Sequence, residues 1–183
     1  PKFFDHNPQF RKKFDFNKKT DFVILPEIFA HLANDLLIKN NIPYAIFVQN
    51  GYAINFTTNY KDLDLAYKKA KLILSVSQDT TKIINHVYGT YSKEILNMNL
   101  AIGSDKIDFK LKKENLITYM PRKLPFHSQK LLFLLKNRLP NNWKIKPLEK
   151  ISEKVLYDNL RKSKIFLSFS FMEGLGAPPI EAA

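Results

Sequence analysis

The sequence predicts an α/β fold, and three observations carry that expectation. Short apolar, β-branched runs recur along the chain: Phe22-Val-Ile-Leu25, Pro43 to Val48 and Leu72-Ile-Leu-Ser-Val76 in the first half, Leu116-Ile-Thr-Tyr-Met120 and Ile165 to Phe169 in the second. Continuous runs of this kind are the signature of strands buried on both faces of a sheet. Between them the apolar residues recur at helical spacing, as in Ile28, Leu32, Ala33 and Leu36. Turn formers and polar residues gather where each run stops. Strand–helix–strand alternation of this type implies parallel sheets joined by right-handed crossovers.

Taken in order, an aromatic and basic lead-in (Phe3 to Lys19) precedes the first strand, Phe22 to Leu25. Pro26 suits the first turn of the helix that follows, where its missing N–H is no loss, and Asn40-Asn41 ends that helix. Pro43 to Val48 is a second strand, closed by the turn signal Gln49-Asn50-Gly51. Asp62 to Lys71 reads as a short helix and Leu72 to Val76 as a third strand. Ser77 is the expected N-cap of a helix reaching Val87, with Gly89 as its stop. Glu94 to Ile102 is a fourth strand, ending at Gly103-Ser104-Asp105. The charged stretch Lys106 to Asn115 is poor in core residues and reads as a linker. Beyond it come a strand at Leu116 to Met120, an amphipathic helix at Ser128 to Leu139, a short strand at Trp143 to Ile145 and a helix at about 152–161. A strand at Ile165 to Phe169 and a Gly/Pro-rich turn entering a last helix complete the chain. The expected organisation is therefore residues 1–108 as one Rossmann-like unit, 109–115 as a linker and 116–183 as part of a second.

Composition narrows the function classes. With 45% hydrophobic and 25% charged residues, five Gly and ten Pro, the chain supports a packed core and global disorder is excluded. It has no apolar run of membrane-spanning length, and zero Cys removes disulfides, thiolate metal sites and Cys nucleophiles together. Its 29 Lys and Arg against 17 Asp and Glu, a net +12, favour anionic partners: nucleic acid, phosphorylated small molecules or an anionic membrane face. The same charge also fits a merely solvated lysine-rich surface. The start at Pro1 and the stop at Ala183, where an amphipathic helix begins, read as those of a fragment.

In parallel α/β sheets ligands bind beyond the carboxyl ends of the strands. Here that rule selects Pro26-Glu27, Gln49-Asn50, Ser77, Gly103, Pro121-Arg122-Lys123 and the segment from Ser170 to Glu181. The last, Ser170-Phe-Met-Glu173-Gly-Leu-Gly176-Ala-Pro-Pro-Ile-Glu181, is the most informative. Its glycines let a backbone approach a bulky ligand, and a helix beginning near Pro178-Pro179 offers an N-terminus suited to phosphate. Carboxylates such as Glu173 and Glu181 can accept two hydrogen bonds from vicinal hydroxyls, as on a sugar or ribose. A plain strand–turn–helix connection with a Glu complementing the helix dipole is the alternative.

Glu173 and Glu181, with seven residues between them, resemble the E-x7-E signature of retaining GT-B glycosyltransferases of the family-4-like group. That signature has the form EGFG-x-P-x-x-EA preceded by a Ser. Ser170, Glu173, Gly174, Gly176, Pro178, Glu181 and Ala182 match it, and Leu175 stands where Phe is commoner. The resemblance implies that Glu173 contacts the donor sugar hydroxyls and acts catalytically, that Glu181 holds the nucleotide ribose, and that the amides after Glu173 face the diphosphate or the sugar. More weakly, Ile117-Thr-Tyr-Met-Pro-Arg122-Lys123 resembles the first strand and loop of a donor domain, where an Arg and a Lys clamp the pyrophosphate. Arginine's planar fork suits two phosphate oxygens. The second cation stays open between Lys123 and Lys130. The segments Ala70 to Ser77 and Asn99 to Asp105 resemble late strands of an acceptor domain, and Glu27, Gln49 and Asn50 its cleft-lining strand ends. Glu27 stands where many relatives carry His. It could orient an acceptor hydroxyl or act as its base, or it could simply occupy the first turn of a helix.

The resemblance thus implies GT-B architecture incomplete at both ends. It also implies transfer of a hexosyl or deoxyhexosyl group, with retention, from a nucleotide-sugar donor to a hydroxyl of a glycan or lipid-linked acceptor, as in bacterial polysaccharide or lipopolysaccharide assembly. No cofactor and no essential metal are expected, and the site would be cytoplasmic, with peripheral association at an anionic membrane surface as a further expectation. The fragment by itself is expected to be inactive. Asp62-Leu-Asp64 has a D-x-D look, but capping explains it better. The four histidines show no ligand spacing with one another. The alternative function is a non-catalytic basic α/β module that binds nucleic acid; on the glycosyltransferase reading no nucleic-acid partner is expected.

Overall fold

The computed structural model describes residues 14–55, 59–89, 94–98 and 112–182. The chain is α/β and divides into two compact units, Pro1–Met98 and Asn99–Ala183. Each has a sheet whose described strand pairings are all parallel.

In the first unit, β1 (Val23–Pro26), β2 (Tyr44–Val48), β3 (Leu72–Ser75) and β4 (Ile95–Asn97) lie side by side in chain order. The register Ile24↔Ala45, Ile46↔Ile73 and Ile73↔Ile95 puts Tyr44, Ile46, Val48 and Ile73 on one face. That face packs on Ala30, Ala33, Leu37, Leu63, Ala66, Tyr67, Ile84 and Tyr88 of the connecting segments, forming the core. Two crossovers are α-helices, α1 (Tyr60–Lys69) and α2 (Gln78–Tyr88). The Asn59 side chain caps α1 by accepting from the N–H of Asp62, and Ser77 caps α2 by accepting from that of Thr80 at 3.1 Å, as its sequence position predicts. Asp62 also accepts a bond from the Asn59 amide, so it belongs to the cap. Gly51 opens a 3-10 turn, Gly51–Ala53, against α2. A Cβ there would lie 2.8 Å from Ile83 Cδ1 and 3.3 Å from Thr80 Cα, so the close approach of α2 leaves little room for a side chain.

Two expectations are corrected here. The segment after β1 is not a regular α-helix: it is a 3-10 helix, Glu27–Leu32, followed by a π-helical turn, Asn34–Ile38. Pro26 closes the strand in an extended conformation instead of entering the helix, and Asn41, at φ 56°, ends the segment. Nor is β1 buried on both faces, since Phe22 and Ile24 are 52% and 58% exposed. Among the described strands it is paired only with β2, at the sheet edge, and the described helices cover the other face.

In the second unit, β5 (Glu114–Tyr119) lies between β6 (Lys144–Pro147) and β7 (Ser163–Leu167). The connections are α3 (Pro125–Leu135) and α4 (Glu153–Lys162), and α5 (Ala177–Ala182) follows β7. Because β5 starts at Glu114, the last two residues of the expected linker are strand. Residues 99–111, with Gly103 and the first three residues of that linker, lie outside the described residues, as does most of the aromatic lead-in. The central strand is buried at Leu116, Ile117, Thr118 and Tyr119. Thr118, fully buried, donates its hydroxyl to Ser163 Oγ at 3.1 Å, and Ser163 donates to the carbonyl of Leu160, so neither polar group is orphaned. Helix α3 begins three residues before the expected start, because Leu124 adopts a left-handed conformation (φ 48°) that turns the chain into Pro125, the first helical residue.

Candidate functional site

The order β6-β5-β7 places the first strand of the second unit at the centre. The chain leaves β5 for one side and returns to the other, so it reverses direction between β5 and β7. At such a switch point the loops after two adjacent strands diverge and leave a crevice at the carboxyl edge, the usual ligand position in open α/β sheets. The loop after β5 is Met120 to Leu124, which carries Arg122 and Lys123. The loop after β7 is Ser168 to Gly176, which carries Ser170, Glu173, Gly174, Leu175 and Gly176.

These loops meet. The Lys123 ammonium donates to Glu173 Oε1 in an ion pair that joins residues 50 apart in sequence, with both side chains about 30% exposed. A crevice beside it is lined by Met120, Lys123, Ser168, Ser170, Gly176 and Pro178, among others. Phe169, one of its lining residues, meets the ring of Tyr119 edge-on, ring centres 6.2 Å apart. Arg122, on the same turn, is exposed and makes no ion pair among the described residues. Gly176 is not in the left-handed region, and a Cβ there would only touch Pro179 at 3.6 Å. Neither backbone nor packing within the chain therefore requires glycine at this lining position.

Glu181 lies on α5, where Tyr157 of α4 donates its hydroxyl to Oε1 at 2.9 Å. That contact fixes one oxygen and leaves the other for a second set of donors. Sequence reasoning missed Tyr157, because a contact between residues 24 apart depends on how α4 packs on α5. The helix terminus contributes less than expected. Helix α5 has six residues, Pro178 and Pro179 have no N–H to offer, and the N–H of Ala177 already donates to the carbonyl of Leu175 at 3.1 Å. The cationic side chains on the facing loop are those of Arg122 and Lys123. Lys130 lies within α3, exposed and away from the turn that carries Arg122.

In the first unit, Glu27 and Asn50 do come together. Glu27 is 5% exposed, and its Oε1 accepts the backbone N–H of Asn50 at 3.0 Å, which ties the carboxyl end of β1 to that of β2. The Asn50 side chain accepts from the N–H of Tyr52 and caps the turn, while Gln49 is exposed. Nearby in the same core, Tyr67 stacks on Tyr88 with ring centres 3.9 Å apart. Burial pushes the Tyr67 phenol pKa far above its ordinary value, with the Tyr88 phenol and the Glu27 charge adding to the shift. The Tyr67 hydroxyl and His31 Nδ1 are buried without a hydrogen-bond partner among the described residues, and nothing in the sequence singles them out.

Among the described residues no cluster of His, Asp or Glu could hold a metal ion, and no helix is long and apolar enough to cross a membrane. No protein-family model and no curated protein matches this chain.

Proposed function

We propose that the second unit carries the donor site of a retaining, nucleotide-sugar-dependent glycosyltransferase of GT-B type, in which the first unit is part of the acceptor-side domain. The observation that carries this reading is the meeting of Lys123 and Glu173 across the β5–β7 switch point. A cation suited to diphosphate and a carboxylate suited to sugar hydroxyls stand together where an α/β sheet binds ligands. The resemblance of Ser170 to Ala182 to the E-x7-E signature assigns the same residues. On this reading Arg122 and Lys123 hold the diphosphate, Glu173 the sugar hydroxyls, and Glu181, steadied by Tyr157, the ribose.

The chemistry follows from charge. As the bond between the anomeric carbon and the diphosphate oxygen breaks, its electron pair stays on the leaving diphosphate, while an acceptor hydroxyl forms the new bond on the same sugar face and passes its proton to the departing diphosphate oxygen. Negative charge grows on the diphosphate, and fixed cations at Arg122 and Lys123 stabilise that state more than the ground state. Glu173 has two jobs in sequence. In the empty site it neutralises Lys123; once diphosphate takes over the ammonium, its carboxylate turns to the sugar.

Calorimetric titration with UDP, GDP and TDP, with EDTA present, tests this reading. Saturable binding of one nucleotide, abolished in Glu181→Ala, is the expected outcome. Failure of a demonstrably folded sample to bind any of them would overturn it.

A further inference from the structure

From Met120 to Leu148 the sequence contains seven Lys and Arg residues and no Asp or Glu, which concentrates much of the +12 charge in one stretch of the second unit. Helix α3 lies inside it. Ser128 is its only buried residue, and the half-buried Leu131, Leu132 and Leu135 share that side of the helix, facing the body of the unit. The opposite side is apolar as well. Phe126 and Phe133, two turns apart and so in line along the helix, are 71% and 76% exposed, and Leu134 beside them is 58% exposed. Lys130 stands between the two Phe residues, Lys136 flanks them, and Arg138 follows the helix end; all three are exposed.

We infer that this outer face of α3 is a docking surface for an anionic lipid bilayer. Large apolar side chains displayed in line on a helix, set among cations with no acidic residue near in sequence, match what holds an interfacial helix flat on a membrane. The rings enter the boundary between headgroups and acyl chains, and the lysines remain among the phosphates. Nucleic acid is the less suitable occupant. It shares the electrostatics, but a ridge carrying Leu134 beside its two rings gains by leaving water for hydrocarbon, whereas base stacking needs flat platforms along a groove. The inference is independent of the donor-site reading, because it uses none of the residues assigned to nucleotide or sugar.

Co-sedimentation with phosphatidylcholine vesicles containing about 30% phosphatidylglycerol tests it, beside pure phosphatidylcholine vesicles and a duplex RNA. The protein is expected to pellet with the anionic vesicles, weakly with the neutral ones, and less as salt rises above about 0.15 M. Phe126→Ser with Phe133→Ser should lower partitioning at least about ten-fold, and so should Lys130→Glu with Lys136→Glu. Both pairs change exposed side chains, so circular dichroism should match the parent. Phe133→Trp supplies a gain of signal, its emission shifting to the blue on addition of anionic vesicles. Absence of partitioning overturns the inference. So does partitioning that ignores the Phe substitutions, or RNA binding that exceeds vesicle binding and depends on the lysines alone.

Discussion

At the scale of single residues, the Lys123–Glu173 pair is the contact on which the donor-site reading turns. A pair about 30% exposed on each side is screened by solvent, so its own contribution to stability is small, on the order of 0–1 kcal/mol. On the proposed reading its consequence for binding is larger, because each partner would be wanted by a different part of the donor. Glu173→Gln removes a negative charge from beside the diphosphate and releases the lysine, so affinity for the free nucleoside diphosphate should rise about two- to five-fold. The extra affinity that the sugar confers should fall, since an amide offers a weaker and half-donating partner to sugar hydroxyls. Calorimetry with UDP and UDP-glucose, or their GDP counterparts, measures both. A parallel loss for nucleotide and nucleotide sugar would contradict the two roles given to Glu173. The pair also shows what was legible at this scale. Lys123 and Glu173 each stood out in the sequence, by position after a strand and by the signature, but spacing alone left Lys123 and Lys130 as alternatives. The contact of Lys123 with Glu173 lies beside the turn at Leu124, whose left-handed conformation no residue type announces.

At the scale of elements, strands and caps were legible because their determinants are local. Apolar runs marked β1, β2, β3, β5 and β7, and Ser77 accepts from the N–H of Thr80 as a side-chain cap should. The segment from Glu27 to Ile38 was misread because its apolar spacing is helical while its backbone is wound first tightly and then loosely. Glu27, tied to the N–H of Asn50, and Asn41, beyond φ 0°, constrain its two ends. Nor could α4 packing on α5 be read, since it joins Tyr157 to Glu181 through tertiary contact alone. That contact makes a prediction of its own. If Tyr157 orients the carboxylate that grips ribose, Tyr157→Phe should weaken nucleotide binding about three- to ten-fold. It should also narrow the preference for ribonucleotide over 2′-deoxyribonucleotide diphosphates. A purely structural tyrosine would lower the melting temperature and leave that preference intact.

At the scale of the whole molecule, each unit has its own sheet, and the first has the larger buried core. Tyr44 and Tyr67 sit in that core, and burial raises both phenol pKa values. The Tyr44 hydroxyl donates to the carbonyl of Ala66 at 2.7 Å, whereas that of Tyr67 has no partner among the described residues. In the unfolded chain both ionise near pH ~10, while the folded state holds their protons to higher pH. Their contribution is therefore complete below pH ~10 and is lost as pH rises beyond it, because the unfolded state then binds fewer protons than the native one. Melting temperature should fall steeply above pH ~10, and Tyr67→Phe should blunt that fall. At neutral pH the same substitution should be neutral or stabilising by up to about 1 kcal/mol, because it removes an unsatisfied buried hydroxyl. Tyr44→Phe should cost about 1 kcal/mol by breaking a made bond. Equal effects of the two substitutions would contradict this difference.

The most direct test of the central claim is to locate the nucleotide on the chain. Photolabelling with azido analogues of UDP and GDP, followed by peptide mapping, should place the adduct in the loop from Met120 to Leu124 or between Ser168 and Glu181. Excess unmodified nucleotide should abolish it. A saturable adduct confined to other segments, or none from either analogue, would contradict a donor site at the carboxyl edge of β5 and β7.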